Sequence, residues 1–202
     1  MEKFMVTYLK LLLYSCLTIS IIFAKNNKKS GSLVGSQAKF WMLKDAYSGK
    51  FEKLNNYTFP KDSKWKAGKE RKAVVMSFFA TWCKPCIKEI QELEILQNTF
   101  KNEPVKFFLI NLTEYYRYQS NASNKYKDAP DAVDFFERKG WNDFSLLNDP
   151  NGRTKRAYDV TSLPRIVIID KYNNIVLDET GLCPSCIIDE IEPLLEKLVQ
   201  VN

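Results

Sequence analysis

Two Cys-x-x-Cys pairs contain the most reactive side chains of this chain. The pairs are Cys83–Cys86 and Cys183–Cys186, and a fifth cysteine, Cys16, lies in an apolar N-terminal stretch. Two such pairs are typical of either redox chemistry or a metal site built from four thiolates. The chain has no histidine. This excludes hydrolases that need a histidine base, zinc sites with histidine ligands and haem attachment at Cys-x-x-Cys-His.

The first pair lies where an apolar run changes to a helical pattern. Ala73–Ala80 is almost entirely apolar, which predicts a central strand buried on both faces. After Pro85, apolar residues recur every three or four positions as far as Phe100, which predicts an amphipathic helix. Unpaired N–H groups and the helix dipole favour a thiolate at the start of such a helix. Cys83 occupies that position.

The arrangement predicts thiol–disulfide exchange. A cysteine with a pKa of about 8.5 is about 3% thiolate at pH 7, and a pKa of about 7 raises that fraction roughly fifteen-fold. Lys84 adds a nearby cation, and Pro85 fits the first helical turn, where no N–H is needed. Cys86, one turn further, can resolve a mixed disulfide by intramolecular attack. A purely structural disulfide is the alternative, but so short a loop contributes little stability.

Composition and charge narrow the class of protein. The chain has 202 residues, of which 45% are hydrophobic, enough for one globular domain with some additional sequence. The net charge of +6 comes from scattered lysines rather than one dense block. No nucleic-acid partner is therefore expected.

The N-terminus has the pattern of an export segment. Two lysines precede Leu11–Ala24, an uncharged stretch of about fourteen residues, which suits a signal peptide and is short for a membrane span. Residues 5–24 are interrupted only by Lys10, so an uncleaved membrane tether is the alternative. The predicted organisation is a signal peptide or membrane anchor at 1–24, a polar linker at 25–37 and a folded domain at 38–202.

The rest of the chain alternates strand and helix patterns, which predicts an α/β domain. The segment Thr113–Pro130 is predicted to be a polar loop with four tyrosines, either an ordinary exposed loop or a docking surface. Asp149–Gly152 is predicted to be a turn. The remaining predicted strands are Phe40–Leu43, Phe51–Leu54, Val105–Leu112, Arg165–Asp170 and Asn174–Asp178, and the remaining helices are Asp131–Lys139 and Ile187–Val199.

Two segments resemble the thioredoxin superfamily. Phe79-Ala80-Thr81-Trp82-Cys83-Lys84-Pro85-Cys86 resembles its active-site segment, and Val160-Thr161-Ser162-Leu163-Pro164 resembles its cis-proline loop. The resemblance covers approximately residues 38–199. It implies a thioredoxin-like fold, with a central mixed sheet flanked by helices, N-terminal strands and a helical insertion. It also implies that Pro164 is cis and packs beside the cysteines, and that Leu163, Pro164 and Trp82 contact the substrate chain.

Within the superfamily, the export segment and the extra residues 113–139 are similar to the TlpA/ResA-type exported oxidoreductases. Glu89 matches the glutamate of their Trp-Cys-x-Pro-Cys-x-x-Glu pattern, and the resemblance implies that it assists proton movement at the cysteines. A carboxylate suits this role in a chain without histidine. Ser77 occupies the strand position where thioredoxins proper carry a buried aspartate, so that proton route is expected to be absent.

The resemblance implies reduction of disulfides in exported proteins, including apocytochromes during cytochrome c maturation. A membrane or periplasmic thiol donor would supply the electrons, in the periplasm or at the outer face of the membrane. Lys84-Pro85 lacks the histidine of strongly oxidising pairs, which favours a reductant. No cofactor or resident metal is expected. The alternative is a metal-binding carrier or assembly protein that uses cysteine thiolates. A peroxidase is less favoured, because peroxiredoxins place Pro and Thr ahead of the reactive cysteine.

The second pair, Cys183 and Cys186, is not part of the general family pattern. In the thioredoxin fold, the turn before the last helix lies beside the active-site cysteines. Three roles stay open: a second redox pair, a disulfide that braces the turn, and a thiolate metal site shared with the first pair.

Overall fold

Two apolar runs form the centre of a seven-stranded mixed sheet in the computed structural model of this chain. The structure describes residues 32–63, 68–119, 121–141, 143–181 and 186–200. The strands are β1 (Met42–Asp45), β2 (Phe51–Lys53), β3 (Ala73–Phe79), β4 (Val105–Asn111), β5 (Ser145–Asn148), β6 (Arg165–Ile169) and β7 (Ile175–Thr180). The helices are α1 (Lys84–Thr99), α2 (Thr113–Arg117), α3 (Asn124–Lys127), α4 (Ala132–Lys139), α5 (Arg153–Ala157) and α6 (Cys186–Gln200).

The strands lie in the order β2-β1-β5-β4-β3-β6-β7. The strands β3, β4 and β5 are parallel, while the hairpins β1–β2 and β6–β7 add antiparallel strands at the two sides. The predicted mixed sheet with flanking helices and N-terminal strands is confirmed. None of the helices in the described part of the chain is long and apolar enough to cross a membrane.

Alternation along β3 divides the core into two apolar clusters, one on each face of the sheet. All seven residues of β3 are buried, and Val75 and Phe79 pack with side chains of α1 and α6 on one face. Val74 and Met76 point to the other cluster, which includes Tyr158. Because successive side chains of a strand alternate between faces, the central Ser77 faces the helices.

The N-terminal part of the described chain is hydrogen-bonded to the last hairpin. The N–H of Gly35 donates to Ile175 O at 2.8 Å, and the N–H of Leu33 donates to the Asp178 carboxylate at 2.7 Å. Residues 33–202 form one compact unit, so contacts with the domain begin inside the segment predicted as a linker. The apolar Leu33 and Val34 explain this, because they pack against the core. Residues 1–31, with the predicted signal or anchor, lie outside the described residues.

Several short elements differ from the sequence prediction. The predicted loop Thr113–Pro130 contains the helices α2 and α3, and neither β5 nor α5 was predicted. These elements have four or five residues each, too few for a periodic pattern. In α5, local hydrogen bonds define the start of the helix: the buried Asp149 carboxylate accepts from the N–H groups of Arg153 and Lys155 at 2.9 and 2.8 Å.

Candidate active site

A disulfide joins Cys83 and Cys86 at the start of α1. Cys83 is the N-cap residue, and its sulfur accepts the N–H of Cys86 at 3.3 Å. Cys83 is 3% exposed and Cys86 is 0% exposed, so both cysteines are buried in the disulfide form. The structure therefore brings the two cysteines together at the helix start that the sequence predicts.

Lys84 and Pro85 are the first two residues of α1, and both are exposed. The missing N–H of Pro85 costs no helical hydrogen bond at this position. The effect of these two exposed residues on thiol chemistry stays a prediction.

A polar network fixes the turn that precedes the cysteines. The N–H of Thr81 donates to Thr113 Oγ1 at 3.0 Å, and Thr81 Oγ1 donates to Pro130 O at 2.9 Å. The N–H of Thr113 donates to Asn111 Oδ1 at 2.9 Å. Hydrogen bonds therefore connect the end of β3 with the end of β4 and with the segment after α3. Sequence analysis missed this network, since its members are distant in sequence.

Trp82 lies against the inserted helices. Its ring centroid is 5.3 Å from that of Tyr116 and 4.6 Å from that of Tyr126. The Lys125 ammonium lies 5.1 Å from the Trp82 ring centroid, within the range of a cation–π contact. Trp82 is half-buried as a result. The segment predicted as a loop thus covers part of the residue that was predicted to contact substrate.

The Leu163–Pro164 peptide bond is cis, as the resemblance implied. Pro164 is buried and Leu163 half-buried, and Pro164 O accepts the N–H of Gly181 at 3.0 Å. The guanidinium of the next residue, Arg165, donates two hydrogen bonds to the Asp178 carboxylate, at 2.8 and 2.9 Å, and both residues are buried. The cis-proline is therefore fixed just before β6 by a hydrogen bond from the residue that follows β7.

Glu89 is buried rather than on a solvated helix face, since it is only 2% exposed. Its Oε1 atom accepts a hydrogen bond of 2.6 Å from Ser77 Oγ, and its Oε2 atom has no hydrogen-bond partner among the described residues. Burial raises the pKa of Glu89 to about 7, the Ser77 hydrogen bond opposes the rise, and the charge of Glu92 adds to it. The strand position of Ser77 carries a hydroxyl and no carboxyl, but a buried carboxyl from the neighbouring helix lies beside it. Glu89 supplies the carboxyl from α1.

The second pair lies only partly within the described residues. Cys186 is the first residue of α6, whereas Cys183 lies outside the described residues. The last described residue before the gap, Gly181, is hydrogen-bonded to the cis-proline. No group of three or more cysteine, aspartate or glutamate side chains suited to a metal occurs in the described part of the chain. The three roles of the second pair stay open.

Comparison with known proteins identifies the family. The model of the AhpC/TSA family matches residues 34–177. The chain belongs to this family. Its relatives include the thiol-disulfide oxidoreductase ResA of Geobacillus thermodenitrificans, which is 27% identical over 175 residues, covering 87% of this chain and 85% of the relative. ResA of Bacillus subtilis is 26% identical over 125 residues, 62% of each chain.

Solved structures share the fold of this AhpC/TSA member. A protein from Chlorobium tepidum designated a thiol:disulfide interchange protein DsbE has a TM-score of 0.61 and 23% identity, covering 83% of this chain and 99% of that one. The thioredoxin domain of a Bacteroides vulgatus thiol-disulfide oxidoreductase has a TM-score of 0.56 and 18% identity, covering 80% and 97%. The predicted thioredoxin-like fold is confirmed by these structures, and the predicted enzyme class, thiol–disulfide oxidoreductase, is confirmed by the ResA relatives.

Proposed function

We propose that this protein reduces disulfide bonds of extracytoplasmic proteins by dithiol–disulfide exchange at Cys83 and Cys86. The observation that carries the proposal is the Cys83–Cys86 bond at the N-terminus of α1. Unpaired N–H groups and the helix dipole at such a site stabilise a thiolate, which is the nucleophile and the leaving group in exchange.

The reaction begins from the dithiol form. The Cys83 thiolate attacks one sulfur of the substrate disulfide, and the other substrate sulfur leaves as a thiolate. Cys86 then attacks the Cys83 sulfur of this mixed disulfide, which forms the bond seen in the structure and releases the second substrate sulfur. The substrate gains two electrons and the protein loses two. A membrane or periplasmic thiol donor would return the protein to its dithiol form.

Glu89 is proposed to take the proton that Cys86 loses in the second step. It lies one helical turn after Cys86, and a buried carboxyl with a pKa of about 7 exchanges protons readily at neutral pH. Trp82, Leu163 and Pro164 are proposed to contact the substrate chain.

The direction and location of the reaction rest on the sequence. The residues between the cysteines, Lys84 and Pro85, do not include the histidine of strongly oxidising pairs, which favours reduction of the substrate. The charged start and apolar stretch of residues 1–24 favour export by a signal peptide or a membrane tether. Apocytochromes awaiting haem are among the proposed substrates.

A trapping experiment tests this proposal. The variant Cys86→Ser should accumulate mixed disulfides between Cys83 and its substrates, because the resolving sulfur is missing. The measurement is non-reducing electrophoresis of the full-length chain expressed in an exporting host, with and without added thiol. The double variant Cys83→Ser/Cys86→Ser is the control. Folded Cys86→Ser protein that forms no thiol-sensitive adducts beyond those of the double variant would contradict the proposal.

A further inference from the structure

A single hydroxyl connects the central strand to the buried carboxyl of α1. Ser77 Oγ donates to Glu89 Oε1 at 2.6 Å, and the two residues are 1% and 2% exposed. In the sheet, Ser77 pairs with Leu109 of β4 and Ile166 of β6. Both neighbours are apolar and buried, so Ser77 is the polar side chain that this part of the sheet presents to Glu89.

Among the described residues, the charge that acts on Glu89 is that of a second glutamate. Glu92 follows on α1 and raises the pKa of Glu89, while Asp189 of α6 raises the pKa of Glu92. Cys86 precedes Glu89 by one turn. Burial opposes ionisation of Glu89 most strongly, and the Glu92 carboxylate adds to it. The Ser77 hydroxyl acts in the opposite direction, because it donates to the charged carboxylate.

A serine hydroxyl can serve both protonation states of its partner. It donates to a carboxylate, and it can accept from the O–H of a protonated carboxyl. The carboxyl therefore keeps a partner at Oε1 while it gains or loses a proton, which is what a proton acceptor buried in an apolar core requires.

We propose that Ser77 is a positioning residue that holds the Glu89 carboxyl in place and sets the pH range in which the cysteine pair exchanges. The inference deepens the proposed function and rests on the proton-accepting role proposed there for Glu89. Ser77 acts through Glu89 and does not itself react.

The first test measures Glu89 directly in the disulfide form, in which the two cysteines do not titrate. The full-length chain is labelled with ¹³C at the glutamate carboxyl, and the Glu89 signal is identified by its loss in Glu89→Gln. Ser77→Ala should raise the titration midpoint of Glu89 by about one pH unit, a tenfold change in proton affinity. Ser77→Thr keeps the hydroxyl and should leave the midpoint near that of the unchanged protein. Glu92→Gln removes a like charge and should lower it.

The second test follows the cysteines. In the reduced full-length chain, the pH profile of iodoacetamide alkylation should move to lower pH in Ser77→Ala, because a Glu89 carboxyl that stays protonated to higher pH repels a cysteine thiolate less. Ser77→Thr should restore the original profile. An unchanged Glu89 midpoint in Ser77→Ala would overturn the role of Ser77. A shifted midpoint with an unchanged alkylation profile would overturn the link to exchange, while trapping by Cys86→Ser would still stand. The two failures are thus distinguishable.

Discussion

Replacement of Glu89 by glutamine should stabilise the protein at high pH and leave its stability almost unchanged at low pH. The pKa of Glu89 rises from its ordinary value of 4.5 to about 7, chiefly because the carboxyl is buried. Since this folded-state pKa exceeds the unfolded value, the native state binds the proton more tightly. The contribution of the protonated Glu89 carboxyl to stability is fully present below pH 4.5 and is lost as the pH rises through about 7. A rise of about 2.5 pH units corresponds to about 3 kcal/mol.

Glutamine is a suitable replacement because it keeps the oxygen that accepts from Ser77 and cannot ionise. The assay is urea unfolding of the disulfide form of both proteins, followed by circular dichroism between pH 4 and pH 9. The free energy of unfolding of the variant minus that of the unchanged protein should grow by about 3 kcal/mol across this range, mostly between pH 4.5 and 7. A difference that stays constant with pH, or that falls as the pH rises, would refute the reasoning.

Further predictions concern the support of the site. Asp178→Ala should lower the free energy of unfolding by about 3–5 kcal/mol in urea titrations, because the Arg165 charge stays buried without its partner; a loss below 1 kcal/mol would contradict this. Thr81→Val should cost about 1–3 kcal/mol in the same assay, because it removes the hydroxyl that donates to Pro130 O at 2.9 Å and accepts from Thr113 Oγ1 at 3.4 Å; equal stability would show that these hydrogen bonds are not needed. If the second pair is redox-active, titration of the full-length chain with dithiothreitol buffers should show two two-electron couples, and Cys183→Ser/Cys186→Ser should remove one; a single couple in the unchanged protein would exclude this role.

The sequence predicted the elements that position the cysteines because each is long and strongly patterned. The apolar run of β3 and the helical repeat after Pro85 locate the disulfide at the junction of strand and helix. The cis peptide at Pro164 followed from a resemblance, since nothing in local composition distinguishes a cis proline from a trans one.

The Ser77–Glu89 contact does not follow from a local sequence pattern, because tertiary packing brings β3 and α1 together. A signal was nevertheless present. Glu89 lies three residues after Cys86 and four before Leu93, both of which are buried, and that spacing places it on the inward side of α1. Strand alternation likewise points Ser77 toward the helices.

The reduction potential of the Cys83–Cys86 pair tests the central claim most directly. The full-length Cys183→Ser/Cys186→Ser variant isolates this pair, and equilibration with thiol–disulfide buffers followed by alkylation gives the fraction reduced. The account predicts one two-electron couple with a potential nearer that of thioredoxin, about −270 mV, than that of a strong oxidant such as DsbA, about −120 mV. A potential close to −120 mV, or the absence of a two-electron couple, would contradict a disulfide reductase.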